Sequence, residues 1–185
     1  GKTSKWIVML CELAIRLPKL FPWACGTGAV LTYATALQKD IGDLIKPLAD
    51  LLTEDAPREV KPVYHGSHLG SHEGLYFPNR SVIKLVGIDK HPDALRGRFS
   101  DGVVISEARD VRKLVNTMQS VLLPQFQRRP WAFLAIETSA PDDIAHDLMR
   151  IVKPDAYRRN AYVERTIDAN TAIDPREKAK AIRMA

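Results

Sequence analysis

The chain has 185 residues, of which 45% are hydrophobic and 26% are charged. This balance suits one globular domain with a sizeable core and excludes a disordered or fibrous protein. The formal net charge of +5 is compatible with a polyanionic partner. Cys11 and Cys25 lie outside any CxxC pair and predict free thiols in a reducing compartment. We expect no signal peptide and no membrane span, because no apolar run in the sequence approaches the roughly 20 residues that a span requires.

The first residues, Gly1, Lys2 and Thr3, match the last three positions of the phosphate-binding P-loop, GxxxxGK[ST]. In that motif backbone N–H groups and a helix N-terminus hold the phosphates, the lysine contacts the terminal phosphates, and the hydroxyl binds Mg²⁺. The motif therefore assigns Gly1 to Ser4 to nucleotide binding, and Thr3 also to the metal. We expect the glycines and the strand that normally precede these residues to be missing from the chain.

A helix is predicted over 3–17, because apolar residues surround most of its circumference, as in a helix buried against a sheet. Pro18 is expected to end it. The apolar run 29–34 predicts a strand, and apolar residues spaced by three and four predict an amphipathic helix over 37–52. The alternation of strand and helix favours a largely parallel sheet.

The next segment, 53–80, is polar and interrupted by prolines, and we predict no strand in it. It contains His65, His68, His72 and Glu73, whose types invite a zinc interpretation. The spacing fits no structural zinc signature and no cysteine joins the group, so we favour a solvated loop.

The apolar run Gly102–Ile105 predicts a strand near 102–106 that is buried on both faces. Ser106 and Glu107 follow at its carboxyl end, where open α/β sheets bind ligands. A carboxylate there suits metal binding or general-base catalysis, so Glu107 is the first candidate catalytic residue. The alternative is a buried strand followed by an ordinary surface glutamate.

Other segments complete the alternating pattern. Apolar runs predict strands near 82–86 and 131–137, and helical periodicity predicts helices near 109–122 and 142–152. Two hydroxyl residues, Thr138 and Ser139, follow the last strand.

The segments Leu95–Gly97 and Ile105–Ala108 together resemble the Walker B region of phage large terminase subunits, the ATPase motors that package viral DNA. That family has Leu-Arg-Gly upstream of an apolar strand that ends in Asp-Glu-Ala. Ser106 departs from the pattern, because it stands where the family usually has Asp. Further segments resemble the family in the same order: Pro78–Ser81 before a strand, and the hydroxyl-rich Thr138 and Ser139, which match its coupling motif.

The resemblance implies a P-loop NTPase-type α/β fold, a three-layer sandwich with a mostly parallel sheet that is truncated at its N-terminal P-loop strand. It implies a single, partial ATPase domain over 1–185, without the family's nuclease domain. The implied activity is ATP hydrolysis with Mg²⁺, driving double-stranded DNA into a procapsid. The alternatives are a nucleotide- or DNA-binding module that hydrolyses poorly and another P-loop motor such as a helicase.

The resemblance also implies roles for individual residues. Glu107 would orient or deprotonate the attacking water, and Arg96 would stabilise charge on the transferring phosphoryl group. For Arg96 the alternative is a loop-tying residue that binds carbonyls. Thr138 and Ser139 would couple loss of the phosphate to movement. Ser106 would lie beside the metal, but its neutral hydroxyl brings no charge to Mg²⁺.

Partners follow from the same resemblance. We expect double-stranded DNA, a portal protein and a small terminase subunit, a homo-oligomeric ring when assembled, and the cytoplasm of a bacterial host. Arg128 and Arg129 form a basic patch that suits electrostatic, sequence-independent DNA contact. The segment 53–80 is the alternative DNA-contacting surface.

Overall fold

The computed structural model describes most of the first three-quarters of the chain. The described residues all lie within Gly1–Asp147, the first of two compact units into which the chain divides. For Lys2, Thr3 and Ser4 only the backbone is described. The described positions are 2–36, 45, 47, 50, 54, 56–66, 73–89, 95, 100–122, 124, 125 and 132–137.

Six strands form one mixed sheet: β1 (Val30–Thr35), β2 (Val63–His65), β3 (Gly74–Tyr76), β4 (Val82–Gly87), β5 (Gly102–Ile105) and β6 (Phe133–Ile136). Their spatial order is β2-β3-β4-β1-β5-β6. Strands β4, β1, β5 and β6 are parallel, whereas β3 and β2 are antiparallel additions at one edge. The predicted α/β class with a mostly parallel sheet is confirmed, and each of its four predicted strands is present.

No strand is predicted over 53–80, yet β2 and β3 lie in this segment. Leu75 is fully buried and lies opposite Ile83 of β4, so β3 is held by pairing with a core strand. Three residues are too few for an alternating pattern to stand out, and tertiary pairing decides the structure here. His65 ends β2, and its ring packs edge-to-face with the Tyr76 ring, with 5.0 Å between the ring centroids.

The candidate zinc residues are only partly described. His68 and His72 lie outside the described residues. Glu73 accepts a hydrogen bond from the Tyr64 hydroxyl at 2.5 Å. Burial and this bond to Glu73 raise the pKa of Tyr64 to about 12. In the described part of the chain, no three His, Cys, Asp or Glu side chains are grouped so as to hold a metal ion.

The described helices lie at or near the predicted ranges. Helix α1 (Lys2–Leu20) and the short α2 (Pro22–Cys25) come first. After β5 the chain forms a 3₁₀ turn (Ala108–Asp110), α3 (Leu114–Thr117) and a π-helical turn (Met118–Leu122), so the predicted helix over 109–122 is present in three pieces. The described positions 45, 47 and 50 of the predicted helix 37–52 are helical, whereas the predicted helix 142–152 lies outside the described residues. No described helix has the length and apolar character needed to span a bilayer.

Helix α1 packs on one face of the sheet, which we call the α1 face. Ile7, Leu10 and Ala14 of α1 are fully buried in one core cluster with alternate residues of the strands. The strand members of that cluster are Leu31, Tyr33, Leu75, Ile83, Leu85 and Val104. Burying a side chain such as Leu10 stabilises a fold by about 1.5–3 kcal/mol. Both cysteines are free, and burial raises the pKa of the Cys11 thiol to about 12.

Pro18 does not end α1, which continues to Leu20. A proline has no N–H to donate to the carbonyl four residues before it, which here belongs to Ala14. Two side chains from the turn before β4 donate instead: Asn79 Nδ2 at 2.9 Å and Ser81 Oγ at 2.7 Å. The helix therefore tolerates its proline because the sheet supplies the missing donors.

Ser81 also joins this turn to β1. Its Oγ accepts a hydrogen bond from the Ala29 backbone N–H at 2.9 Å, and the side chain is 1% exposed. The Asn79 side chain closes the turn by accepting from the Ser81 N–H at 3.0 Å. The Pro78–Ser81 segment thus fastens the carboxyl-terminal half of α1 to the beginning of β1 and β4.

We expect Ser81→Ala to destabilise the protein by about 1–3 kcal/mol, because it removes a buried donor and a buried acceptor together. In a Pro18→Ala background the cost should fall, since residue 18 would then donate its own N–H to Ala14. Denaturant unfolding of the four variants of this cycle measures the coupling. Ser120→Ala is the matched control, because Ser120 bonds the Asn116 carbonyl in an exposed position and should change stability by less than about 0.5 kcal/mol. Equal costs of Ser81→Ala in both backgrounds would contradict this role of Ser81.

Candidate active site at the carboxyl edge of the sheet

Three polar residues lie in one row where β1, β5 and β6 end. The register places Ala34 opposite Ile105 and Ile105 opposite Ile136, so the next positions are Thr35, Ser106 and Glu137. The ladder continues through them, because Ser106 N–H donates to the Ala34 carbonyl and Glu137 N–H to the Ile105 carbonyl, each at 2.9 Å. Successive side chains alternate between faces, and Tyr33, Val104 and Ala135 face α1. The row therefore lies on the α1 face.

The beginning of α1 meets this row. Trp6 donates its indole N–H to Glu137 Oε2 at 2.7 Å, across 131 residues of sequence. Helix α1 begins at Lys2, about one turn before Trp6, and runs from here towards Ser81 at the opposite end of the sheet. Its first, unpaired backbone N–H groups therefore belong to the carboxyl edge, and helix N-termini of this kind favour anions.

Ser106 is buried at the centre of the row. It is 5% exposed, and within the described part of the chain its Oγ has no hydrogen-bond partner. Buried polar groups are almost always satisfied, so such a hydroxyl calls for an explanation. A ligand that approaches the edge could supply the partner.

Glu107 forms the turn that leaves β5. Its backbone is left-handed, with φ 49° and ψ 54°, which is uncommon for a residue other than glycine. The Glu137 carbonyl accepts from the Ala108 N–H at 2.9 Å and so spans the turn. Strained backbone of this kind costs about 1–3 kcal/mol and is found most often at functional sites.

The structure places some of the predicted site residues and not others. The backbone of Lys2, Thr3 and Ser4 opens α1 at the same edge of the sheet as Ser106 and Glu107. The remaining predicted site residues lie outside the described part of the chain: Gly1, Arg96, Thr138 and Ser139. Their assigned roles stay predictions.

Sequence reasoning missed Glu137 and its partner Trp6. The signal was present, because Glu137 follows an apolar strand just as Glu107 does. The hydroxyl residues that follow it, Thr138 and Ser139, match the family's coupling motif, so the functional role is assigned to them and not to Glu137. The hydrogen bond from Trp6 joins two residues that are far apart in sequence, and no local sequence pattern indicates such a contact.

We expect Glu107→Gly to be more stable than Glu107→Ala by about 1 kcal/mol, because glycine adopts the left-handed conformation without steric cost. Arg109, in the following 3₁₀ turn, serves as the control, and there alanine should be the more stable. Chemical denaturation of the four variants measures both differences. The same order at both positions would show that the turn at Glu107 is unstrained.

Comparison of the sequence with protein-family models and with curated proteins gives no match. Comparison of the fold with solved structures finds the large terminase ATPase domain of Thermus phage P74-26, with 18% identity and a TM-score of 0.40. That alignment covers 71% of this chain and 56% of the other, so the chain spans a little over half of that domain. A mutant of the same domain aligns with 18% identity and a TM-score of 0.38, over 68% of this chain and 54% of the other.

Proposed function

We propose that the chain is the ATP-hydrolysing part of a DNA-packaging motor of the large-terminase type. The observation that supports this best is the meeting of two features at one edge of the sheet. One is the beginning of α1, with its Lys2-Thr3 sequence, and the other is the Ser106–Glu107 turn after the buried β5. A phosphate at the helix N-terminus would lie on the same edge as a carboxylate able to act on water.

The residues present fit a magnesium ion bound together with nucleotide phosphates. Mg²⁺ in such sites keeps several waters and takes only one or two carboxylates from the protein. The row at the carboxyl edge offers oxygen donors alone: two hydroxyls, from Thr35 and Ser106, and the carboxylate of Glu137. When bound, the ion would neutralise charge on the phosphates.

The chain's own residues would then act by positioning and by electrostatic stabilisation, which dominate phosphoryl transfer. Lys2 would bind the terminal phosphates and Thr3 would hold the metal beside Ser106. Glu107 would orient the attacking water and accept its proton. Arg96 would stabilise the transferring group, and Thr138 with Ser139 would report loss of the phosphate.

The wider machinery belongs to the same proposal. Double-stranded DNA would be the cargo, gripped by basic residues such as Arg128 and Arg129 without regard to sequence. A portal protein and a small terminase subunit would be partners, and several copies of the chain would form a ring.

A second candidate rests on Ser106. The neutral hydroxyl, placed where the resembled family has a carboxylate, favours a nucleotide- or DNA-binding module in which hydrolysis is weak. The motor and a nucleotide-binding module differ in turnover and not in nucleotide affinity, so kinetics separates them, whereas a module that binds only DNA would show no nucleotide affinity.

We expect Glu107→Gln in the full-length protein to lower ATP turnover by about 10²–10⁴-fold, because it removes a general base or water-orienting group. Nucleotide affinity should survive, since the carboxylate acts on water. Lys2→Ala should instead weaken nucleotide binding itself, because the ammonium contacts the phosphates in the ground state. Steady-state ATPase assays with and without DNA, together with calorimetric titration of nucleotide, distinguish the two effects.

Glu12→Gln is the matched control, because Glu12 is an exposed residue of α1 that pairs with Arg16 at 2.8 Å. It should leave turnover and affinity unchanged. Unchanged turnover in Glu107→Gln would remove Glu107 from the active site. A wild-type protein that binds ATP without hydrolysing it, and that gains turnover on Ser106→Asp, would favour the binding module.

A further inference from the structure

We infer that Glu137 supplies the metal-binding carboxylate of the nucleotide site that Ser106 cannot supply. This inference rests on the proposed nucleotide-binding function. It moves the acidic residue of the site from the end of β5 to the end of β6, one strand away. Glu107 is thereby left to act on water alone.

The sheet register carries the first step. Ile105 lies opposite Ile136, so Ser106 and Glu137 are neighbours in the row on the α1 face. Adjacent strands lie about 4.8 Å apart, and a glutamate side chain is long enough to cover that distance. A carboxylate from Glu137 can thus reach the space over Ser106 where a shorter acidic side chain on β5 would otherwise stand.

Ser106 carries the second step. Its hydroxyl is buried and, in the part of the chain that the structure describes, unpartnered, although it belongs to the same row as a carboxylate. An ion or its bound water between the two side chains would satisfy the hydroxyl and bind to the carboxylate. The pair therefore has the composition of a site for a hydrated cation.

The anchoring of Glu137 carries the third step. Its backbone is fixed on both sides, by its N–H on the Ile105 carbonyl and by its carbonyl on the Ala108 N–H, each at 2.9 Å. Trp6 fixes the side chain through Oε2 at 2.7 Å. This contact orients the carboxylate, which has two oxygens and about four acceptor positions. The Trp6 contact also holds the carboxylate close to the first turn of α1, where the phosphates would bind.

Glu107 is less suited to the metal. Its left-handed backbone ends the extended conformation of β5, and the 3₁₀ turn begins with the next residue. Its carboxylate therefore does not continue the row formed by Thr35, Ser106 and Glu137. Of the two acidic residues at this edge, Glu137 would bind the metal and Glu107 would act on the attacking water.

The experiment measures how strongly Mg²⁺ improves binding of AMP-PNP to the full-length protein. The affinity is titrated with Mg²⁺ and again with EDTA, and the ratio of the two is compared between variants. Glu137→Gln keeps an oxygen to accept from Trp6 but loses the charge. We expect this variant to lower the Mg²⁺-dependent gain by at least about 10-fold and to leave the affinity in EDTA unchanged.

A carboxylate placed on residue 106, at the end of β5, should replace the carboxylate of Glu137. In the double variant Glu137→Gln with Ser106→Asp, the carboxylate returns one strand away and most of the Mg²⁺-dependent gain should return with it. Trp6→Phe keeps the carboxylate but loses its anchor, so it should cause a smaller loss than Glu137→Gln. Asp110→Asn is the charge-matched control, since Asp110 is exposed near the same turn, and it should change nothing.

The outcomes are distinguishable. If the wild type binds no AMP-PNP, the proposed function fails and the inference fails with it. If the wild type binds and Glu137→Gln keeps the full Mg²⁺-dependent gain, the inference fails and the proposed function stands. An equal loss of AMP-PNP affinity in Glu137→Gln with Mg²⁺ and with EDTA would show that Glu137 has a structural role, and it would also overturn the inference. If Glu137→Gln does not fold, Trp6→Phe serves as the test. A reduced Mg²⁺-dependent gain in AMP-PNP affinity in Trp6→Phe would support the inference, and an unchanged gain would contradict it.

Discussion

Hydrogen bonds at both ends of its buried stretch fix helix α1 to the sheet. At the carboxyl edge Trp6 bonds Glu137, and towards the opposite end the Ala14 carbonyl accepts from Asn79 and Ser81. Between these points the apolar residues of α1 supply most of the burial, but hydrophobic contact has no direction and does not by itself set the position of a helix along a sheet. The polar contacts set it, because each requires a particular pair of atoms within bonding distance.

The location of the candidate site follows from that constraint. Since α1 runs against the direction of the parallel strands, its N-terminus comes to the edge where β1, β5 and β6 end. β5 lies between β1 and β6 and is buried along its whole length, so its carboxyl end is a rigid part of this edge. The site thus combines an anion-favouring helix end with oxygen donors held by strands, and a rigid framework of this kind suits the positioning of phosphates.

Sequence patterns predicted the parts of the fold that are locally determined. β1, β4, β5 and β6 are buried apolar runs, which stand out in any sequence, and α1 has a helical apolar pattern. β2 and β3 are too short to show a pattern, and pairing with β4 decides them. The prediction that Pro18 ends α1 is wrong, because the donors that replace its missing N–H lie more than sixty residues away and leave no local signal.

The same division applies to the site. Ser106 and Glu107 were found because a polar residue at the carboxyl end of a buried strand is an established position for chemistry. The left-handed turn at Glu107 depends on the backbone, and the partnership of Glu137 with Trp6 depends on packing, so neither could be predicted. The row that joins Ser106 to Glu137 arises from strand register, which sequence does not determine across a crossover.

The position of a bound nucleotide tests the central claim most directly. We predict that a crystal structure of the full-length protein with Mg²⁺ and AMP-PNP will place the phosphates against the first turn of α1. The metal should lie on the α1 face of the sheet, over Ser106 and Glu137, with Glu107 facing the terminal phosphate. A nucleotide bound on the opposite face of the sheet, or a metal far from the ends of β5 and β6, would contradict the claim.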